Sequence, residues 1–99
     1  MRIPLNDITQ EELGKFLLKV GDPLPNGCQS WTGHHRPLGY GLHWFRGKWV
    51  QAHRFAYAAT FEDPGELEID HTCRVKDCIN PLHLEAVTGK ENLARRKRK

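Results

Sequence analysis

The sequence predicts a small α+β domain in which helices and short strands are stabilised by a bound metal ion. Three observations carry this prediction: a length of 99 residues, alternating and helical apolar patterns, and a cluster of cysteines and histidines within residues 70–84. A chain of this length forms one domain with a marginal core. A structural metal is a common additional source of stability at this size, so we expect residues 1–99 to form a single metal-stabilised domain.

The first predicted element is a helix over about residues 10–20. Thr9 and Glu12 have the spacing of a capping box, in which each side chain bonds the backbone N–H of the other residue. Apolar residues follow at helical spacing, namely Leu13, Phe16, Leu17 and Val20. Glycines and prolines interrupt residues 21–40, which we expect to form a loop.

The middle of the chain predicts a β-hairpin followed by a short helix. Residues 39–54 carry strand-like apolar residues on both sides of an Arg46-Gly47 turn. Residues 53–61 are rich in apolar side chains and predict a short helix, which Pro64-Gly65 brings to an end.

The C-terminal third predicts the order strand, loop, strand and helix. Residues 67–71 alternate as a strand, and residues 84–87 form a second short strand. The loop between them is rich in cysteine, asparagine and proline. Thr88, with Glu91 three residues later, predicts a capping box at the start of a last helix that carries Asn92.

The positive charge of the chain is concentrated at its end. The net charge is only +3, but the last five residues are all basic: Arg95, Arg96, Lys97, Arg98 and Lys99. Such a run is typical of a tail that binds nucleic acid. The alternative is a solvated helix end, where cations interact favourably with the helix dipole. We favour the DNA-binding interpretation because other features agree with it.

Two observations bear on the compartment. No apolar run in the sequence is long enough to span a membrane, and residues 1–7 do not resemble a signal peptide. Three cysteines are an odd number, whereas a secreted disulfide framework prefers an even one. We therefore expect a cytoplasmic protein, of a bacterium or a phage-infected cell, whose clustered cysteines bind metal.

The cysteines and one histidine form a candidate zinc site. Cys73, Cys78 and His83 follow one another at intervals of five, and Cys28 is the remaining cysteine. Three thiolates and one imidazole complete a tetrahedral zinc shell. The spacing differs from the common Cys-x-x-Cys pattern, so unrelated thiols are the alternative.

Asp70 and His71 form a second candidate site. A carboxylate is a hard oxygen ligand suited to Mg²⁺, and an imidazole can accept a proton from water near neutral pH. Successive side chains on a strand point to opposite faces, so both reach one phosphate only where the strand ends or twists. Such a pair alone is more often structural than catalytic.

From residue 28 to residue 96 the chain resembles the HNH endonuclease family. The resemblance rests on seven elements in order: Cys28-Gln29-Ser30-Trp31-Thr32-Gly33, Gly39-Tyr40-Gly41, Ala52-His53-Arg54-Phe55-Ala56-Tyr57, Ile69-Asp70-His71-Thr72-Cys73, Cys78-Ile79-Asn80-Pro81-Leu82-His83-Leu84, Val87-Thr88 and Glu91-Asn92-Leu93. Residues 71–84 also resemble the His-Cys box homing endonucleases. The resemblance implies the ββα-metal (His-Me finger) fold, here of a zinc-bearing type.

The resemblance also implies roles for individual residues. His71 would be the general base that activates water, and Asn80 would be structural, its amide tying the metal loop together. His83 would be a zinc ligand with the three cysteines, although in other members this position binds the catalytic metal. Asp70 and Asn92 would hold the catalytic Mg²⁺ or Mn²⁺, since these ions prefer oxygen ligands. The expected products are a 5′-phosphate and a 3′-hydroxyl.

Further candidates are less specific. Arg54 either clamps the phosphate, which arginine matches bidentately, or pairs with a nearby acidic residue. His53 is expected to be packed or hydrogen-bonded. The three tryptophans are expected mainly in core or partner contacts rather than stacked on bases: Trp31, Trp44 and Trp49. A loop segment is a weak candidate for DNA contact: His34, His35 and Arg36.

The sequence thus predicts a metal-dependent DNA endonuclease. The alternatives are a non-catalytic zinc DNA-binding module and a structural protein such as a phage DNA-packaging accessory. The joint presence of Asp70, His71 and Asn92 favours the enzyme. One site per chain predicts a nick in double-stranded DNA, unless the protein forms a homodimer. Homing, restriction and packaging roles stay open.

Overall fold

The computed structural model describes residues 4–37 and 39–97, and for residues 96 and 97 it describes the backbone alone. In this part of the chain the elements are, in order, α1 (Gln10–Leu17), β1 (His34–His35), β2 (Gly41–Phe45), β3 (Lys48–Gln51), α2 (Ala52–Thr60), β4 (Glu68–His71), a 3₁₀ turn (Pro81–His83), β5 (Leu84–Val87) and α3 (Gly89–Lys97). The strands form one three-stranded and one two-stranded antiparallel sheet. The predicted α+β class is confirmed.

Helix α1 starts as the sequence predicts and ends earlier. The Thr9 hydroxyl accepts from the N–H of Glu12 at 3.1 Å, and the Glu12 carboxylate accepts from the N–H of Thr9 at 3.0 Å. The prediction that the helix reaches residue 20 is wrong, because Val20 instead forms a β-bridge with Trp31. Phe16 anchors the helix, its ring stacked on that of Trp31 at 4.8 Å between centroids.

The predicted hairpin is strands β2 and β3, with Trp44 opposite Trp49. Arg46 and Gly47 form its two-residue turn and have φ values of 50° and 80°. Two positive φ values in a two-residue loop match the turn that fits the twist of paired strands. The loop prediction for residues 21–40 is wrong at His34 and His35, which pair with β2 as β1. This short pairing covers backbone groups that an open edge would leave unbonded.

The hydrophobic core lies between α1, the three-stranded sheet and α2. Phe55 is its centre, fully buried and in ring contact with Phe16 and Phe45 at 4.5 and 5.1 Å. The remaining buried apolar members are Leu5, Trp31, Val50, Ala52, Ala56, Ile69, Ile79 and Leu84. Ile69 and Leu84 belong to β4 and β5, so the core reaches the second sheet and fixes its position.

Strands β4 and β5 and helix α3 form the predicted strand–loop–strand–helix unit. Asp70 pairs with Glu85 and His71 with Leu84. The hydroxyl of Thr88 accepts from the N–H of Glu91 at 3.0 Å, and the Glu91 carboxylate accepts from the N–H of Thr88 at 3.2 Å. This capping box starts α3 as predicted. Among the described residues, no helix has the length and apolar character needed to cross a membrane.

Candidate active site and metal cluster

The four predicted zinc ligands converge on one point. The ligand atoms of Cys28, Cys73, Cys78 and His83 all lie within 4.8 Å of one another. The Sγ atoms of Cys28 and Cys78 are each 3.5 Å from His83 Nδ1. Tetrahedral zinc with ordinary Zn–S and Zn–N bonds places such atoms roughly 3.5–3.8 Å apart. The donor set and its spacing therefore fit zinc.

Asn80 joins the two segments that carry the cluster. Its Nδ2 donates to the carbonyl of Gly27 at 2.7 Å, and its Oδ1 accepts from the N–H of Leu82 at 3.0 Å. Gly27 directly precedes Cys28, and Leu82 directly precedes His83. One amide thus holds the first cysteine and the histidine in place, which agrees with the structural role that the resemblance implies.

Burial governs the protonation of the cluster. Cys28 is fully buried, and this burial, with the neighbouring thiols of Cys73 and Cys78, raises the pKa of its thiol to about 12. A cysteine binds zinc as the thiolate, so metal and protons compete for these atoms.

His71, at the end of β4, has the geometry of a general base. Its Nε2 donates to the carbonyl oxygen of Cys78 at 3.0 Å. A carbonyl oxygen only accepts, so the proton of the neutral ring sits on Nε2 and leaves Nδ1 as a free base. Burial lowers the pKa of His71 below its ordinary value of 6.5, which keeps the imidazole neutral at pH 7.

The three predicted active-site residues share one cavity. Asp70, His71 and Asn92 line a space of about 110 Å³. Neighbouring side chains of one strand reach the same cavity here because β4 ends at His71. Their convergence on one phosphate stays a prediction.

Basic and aromatic side chains complete this cavity, and sequence reasoning did not single them out. Arg74 and Lys76 line it together with Tyr40. The Lys76 ammonium lies 5.8 Å from the centre of the Tyr40 ring. Both basic residues lie between Cys73 and Cys78. This position within the metal loop is the sequence feature that could have identified them as site residues.

Arg95 does not extend from the fold as part of a free tail. Its guanidinium donates to Asp70 Oδ2 at 2.9 Å and also pairs with Glu85. These carboxylates raise the pKa of Arg95. The side chains of Arg96 and Lys97, and residues Arg98 and Lys99 altogether, lie outside the described residues.

Asn92 is buried and held by a carboxylate. Its Nδ2 donates to Glu68 Oε1 at 2.6 Å. Glu68 was not among the predicted site residues, although it precedes Asp70 by two positions and so shares its face of β4. Glu68, Asn92 and Tyr40 line a second cavity of about 250 Å³ that adjoins the first.

Arg54 lies in the wall of the second cavity and is buried. Its two terminal nitrogens donate to the carbonyls of Leu67 at 2.6 Å and Gly65 at 2.8 Å. These bonds hold the segment that leads into β4. The sequence did not indicate these carbonyl contacts, and both alternatives, a phosphate contact and an acidic partner for Arg54, stay predictions.

His53 is a packed histidine, as the sequence indicated. Its ring lies 4.6 Å from that of His71 and 5.8 Å from that of Tyr40. Burial, then the charges of His71 and Arg54, lowers the pKa of His53 to about 3. The ring of His53 is therefore neutral at pH 7.

The tryptophans divide between core and surface. Trp31 is buried, and its Nε1 donates to the carbonyl of Leu42 at 2.9 Å. Trp44 and Trp49 are about half exposed and contact each other at 5.0 Å on the hairpin. His34 packs on Trp49, so this part of the predicted loop is a sheet edge, and its contact with DNA stays a prediction.

Comparison with known proteins agrees with this arrangement. Residues 50–94 match a family model described as HNH endonuclease. Protein 7.7 of Escherichia phage T7 is 38% identical over 66 residues, which are 66% of this chain and 51% of the relative. The chain thus spans about half the length of this curated relative. No solved structure matches the chain at a significant level.

Proposed function

We propose that this chain, which belongs to the HNH endonuclease family through residues 50–94, is a metal-dependent nuclease that hydrolyses phosphodiester bonds of double-stranded DNA. The observation that carries the proposal is the shared cavity of Asp70, His71 and Asn92, in which a neutral imidazole meets two oxygen-bearing side chains.

His71 acts as the general base. Nδ1 takes a proton from a water molecule, while Nε2 stays bonded to the Cys78 carbonyl at 3.0 Å and prevents the ring from turning. The activated water attacks phosphorus, the bond to the 3′ oxygen breaks, and this oxygen takes a proton from a solvent water molecule. The products are a 5′-phosphate and a 3′-hydroxyl.

Asp70 and Asn92 hold the catalytic ion through oxygen atoms. When bound, Mg²⁺ or Mn²⁺ stabilises the negative charge that develops on the phosphate and the leaving oxygen. Oxygen donors suit these ions, whereas the Cys₃His set suits zinc, so the two sites select different metals.

Zinc bound by Cys28, Cys73, Cys78 and His83 stabilises the fold. It links the loop after α1 to the loop between β4 and β5, which in turn carries the carbonyl that holds His71. The zinc therefore supports catalysis through the position of the base and takes no part in the reaction.

Phosphate contacts come from basic residues around the cavity. Arg74 and Lys76 line it and approach the scissile phosphate, with Arg54 as a further candidate in the adjoining wall. The basic segment of residues 96–99 adds affinity for DNA, whatever the base sequence of that DNA. The relative in phage T7 supports a role in a phage-infected cell.

The test is a plasmid assay on purified, zinc-loaded protein. Supercoiled DNA is incubated with and without Mg²⁺, and magnesium is omitted rather than chelated because a chelator would also remove zinc. We expect nicked circles that require Mg²⁺, and their absence from His71→Gln, which keeps a donor for the Cys78 carbonyl. Linear product would indicate paired cutting by two chains. DNA binding with no cleavage would favour the non-catalytic zinc module.

A further inference from the structure

The contact between Glu68 and Asn92 fixes the orientation of an amide. Asn92 Nδ2 donates to Glu68 Oε1 at 2.6 Å, and Asn92 is only 6% exposed. An ionised carboxylate has acceptors and no donor, so it bonds the NH₂ group and not the carbonyl oxygen of the amide. The reversed amide would bring two oxygens together at this distance and is excluded.

The fixed amide lies on the boundary between two cavities. Asn92 lines the cavity of Asp70 and His71 as well as the adjoining cavity, in whose wall Glu68 lies. The NH₂ group of the amide is hydrogen-bonded to Glu68. The oxygen branch, which is the branch able to bind a cation, does not bond Glu68 and can serve the cavity that Asp70 lines.

The carboxylate of Glu68 is itself confined. A side chain at Gly89 would begin 3.1 Å from Glu68 Oε2, so the carboxylate packs against the first residue of α3. The positive end of the helix dipole favours an anion there. Glu68 is thus held between the start of the helix and Asn92, one turn further along it.

We propose that Glu68 is a positioning residue, which turns the Oδ1 atom of Asn92 toward the catalytic metal. This inference rests on the proposed function, since it assumes that Asp70 and Asn92 form the metal site. In this role Glu68 acts on the metal only through Asn92. A partner that orients a metal ligand typically changes metal affinity 10–100-fold when it is removed, as an order of magnitude.

The alternative is that the contact between Glu68 and Asn92 only ties β4 to α3. Moving the negative charge from position 68 to position 92 distinguishes the two roles. Aspartate at position 92 has two equivalent oxygens and needs no partner to orient it. Beside Glu68, however, it faces a like charge at hydrogen-bond distance. The double variant Glu68→Ala/Asn92→Asp removes this conflict and keeps the net charge of the natural chain.

The experiment measures Mn²⁺ binding to zinc-loaded protein without DNA, by the electron paramagnetic resonance signal of free Mn²⁺. We expect Glu68→Ala to weaken binding about 10–100-fold. We expect Glu68→Ala/Asn92→Asp to bind more tightly than either single variant. Glu68→Gln should fall between the natural chain and Glu68→Ala, because glutamine accepts the same bond but also allows the reversed amide.

Melting temperatures check that each variant is folded, and one further variant tests the metal site itself. Unchanged affinity in both Glu68→Ala and Glu68→Gln would overturn the inference. So would a double variant that binds no better than Glu68→Ala. Asp70→Asn is the control for the site itself. If it leaves Mn²⁺ binding intact, the proposed metal site is wrong; if it abolishes binding, a failure at Glu68 concerns this inference alone.

Discussion

The imidazole of His71 donates through Nε2 to the carbonyl oxygen of Cys78 at 3.0 Å. Cys78 also contributes its Sγ to the Cys₃His cluster. One residue therefore takes part in the candidate zinc site and sets the tautomer of the candidate base. The stability of the metal loop and the position of the candidate base are joined through this residue.

The first prediction concerns zinc. We expect one tightly bound zinc per chain by metal analysis of the purified protein. Cys78→Ser removes a ligand, and because zinc binding contributes directly to folding, it should unfold the chain or strongly lower its melting temperature. Leu82→Ala is the matched control: this side chain lies in the same loop and is 83% exposed. Protein purified without zinc yet fully folded would refute the prediction.

The second prediction concerns the pH dependence of cleavage. The base works when neutral, so the rate falls as pH drops through the pKa of His71. Burial lowers this pKa, so the midpoint of the acidic limb should lie below the ordinary value of 6.5. The measurement is the single-turnover rate at saturating Mg²⁺ across pH 4.5–8. A midpoint above 6.5 would show that His71 is not the titrating base or is not buried.

The third prediction concerns His53 and stability. Its pKa is about 3 in the folded chain against 6.5 for an ordinary histidine, so the unfolded state binds more protons between these values. Its contribution to stability is present above pH 6.5 and is lost as pH falls toward 3. The slope from one such proton approaches about 1.4 kcal/mol per pH unit. His53→Gln should have a shallower fall in the free energy of unfolding, measured with urea. Equal slopes would contradict the assignment.

The fourth prediction separates Arg95 from the residues that follow it. Arg95 neutralises Asp70 at 2.9 Å, so Arg95→Ala should increase Mn²⁺ affinity in the absence of DNA. Deleting residues 96–99 should leave Mn²⁺ affinity unchanged. It should weaken binding to DNA of any sequence. It should also flatten the salt dependence: the slope of log affinity against log salt concentration should become shallower by roughly 0.9 for each phosphate that the tail no longer neutralises.

The control for Arg95 is Lys90→Ala, an exposed cation elsewhere on α3. Weaker Mn²⁺ binding by Arg95→Ala would mean that the guanidinium assists the site rather than competing with the ion. An unchanged salt slope after the deletion would mean that the tail does not contact DNA.

Much of the fold follows from local patterns in the sequence. The capping boxes at Thr9 and Thr88 and the Arg46-Gly47 turn are complete within a few residues, so their form does not depend on distant parts of the chain. The set of three thiolates and one imidazole was predicted with the help of the family resemblance, since the spacing alone left unrelated thiols as the alternative. The early end of α1 was not, since it depends on the bridge from Val20 to Trp31.

The partners of charged side chains were less predictable. Arg95 belongs to a basic run, and nothing local indicates that it bonds Asp70, 25 residues earlier. Glu68 and Asn92 are 24 residues apart and meet only because α3 packs against β4. Arg54 likewise bonds carbonyls whose position depends on the loop before β4. Such contacts are set by tertiary packing, which sequence periodicity does not encode.

Cleavage by His71→Ala and Asn92→Ala across a Mg²⁺ and Mn²⁺ titration tests the central claim most directly. Circular dichroism is the folding control, and we expect both variants to be folded because neither change touches the zinc ligands. Loss of the base should slow cleavage by about 10²–10⁴-fold at every metal concentration, because no ion replaces the imidazole. Asn92→Ala should recover in part as metal rises. Cleavage by His71→Ala at the rate of the natural chain would contradict the account and favour a non-catalytic DNA-binding protein.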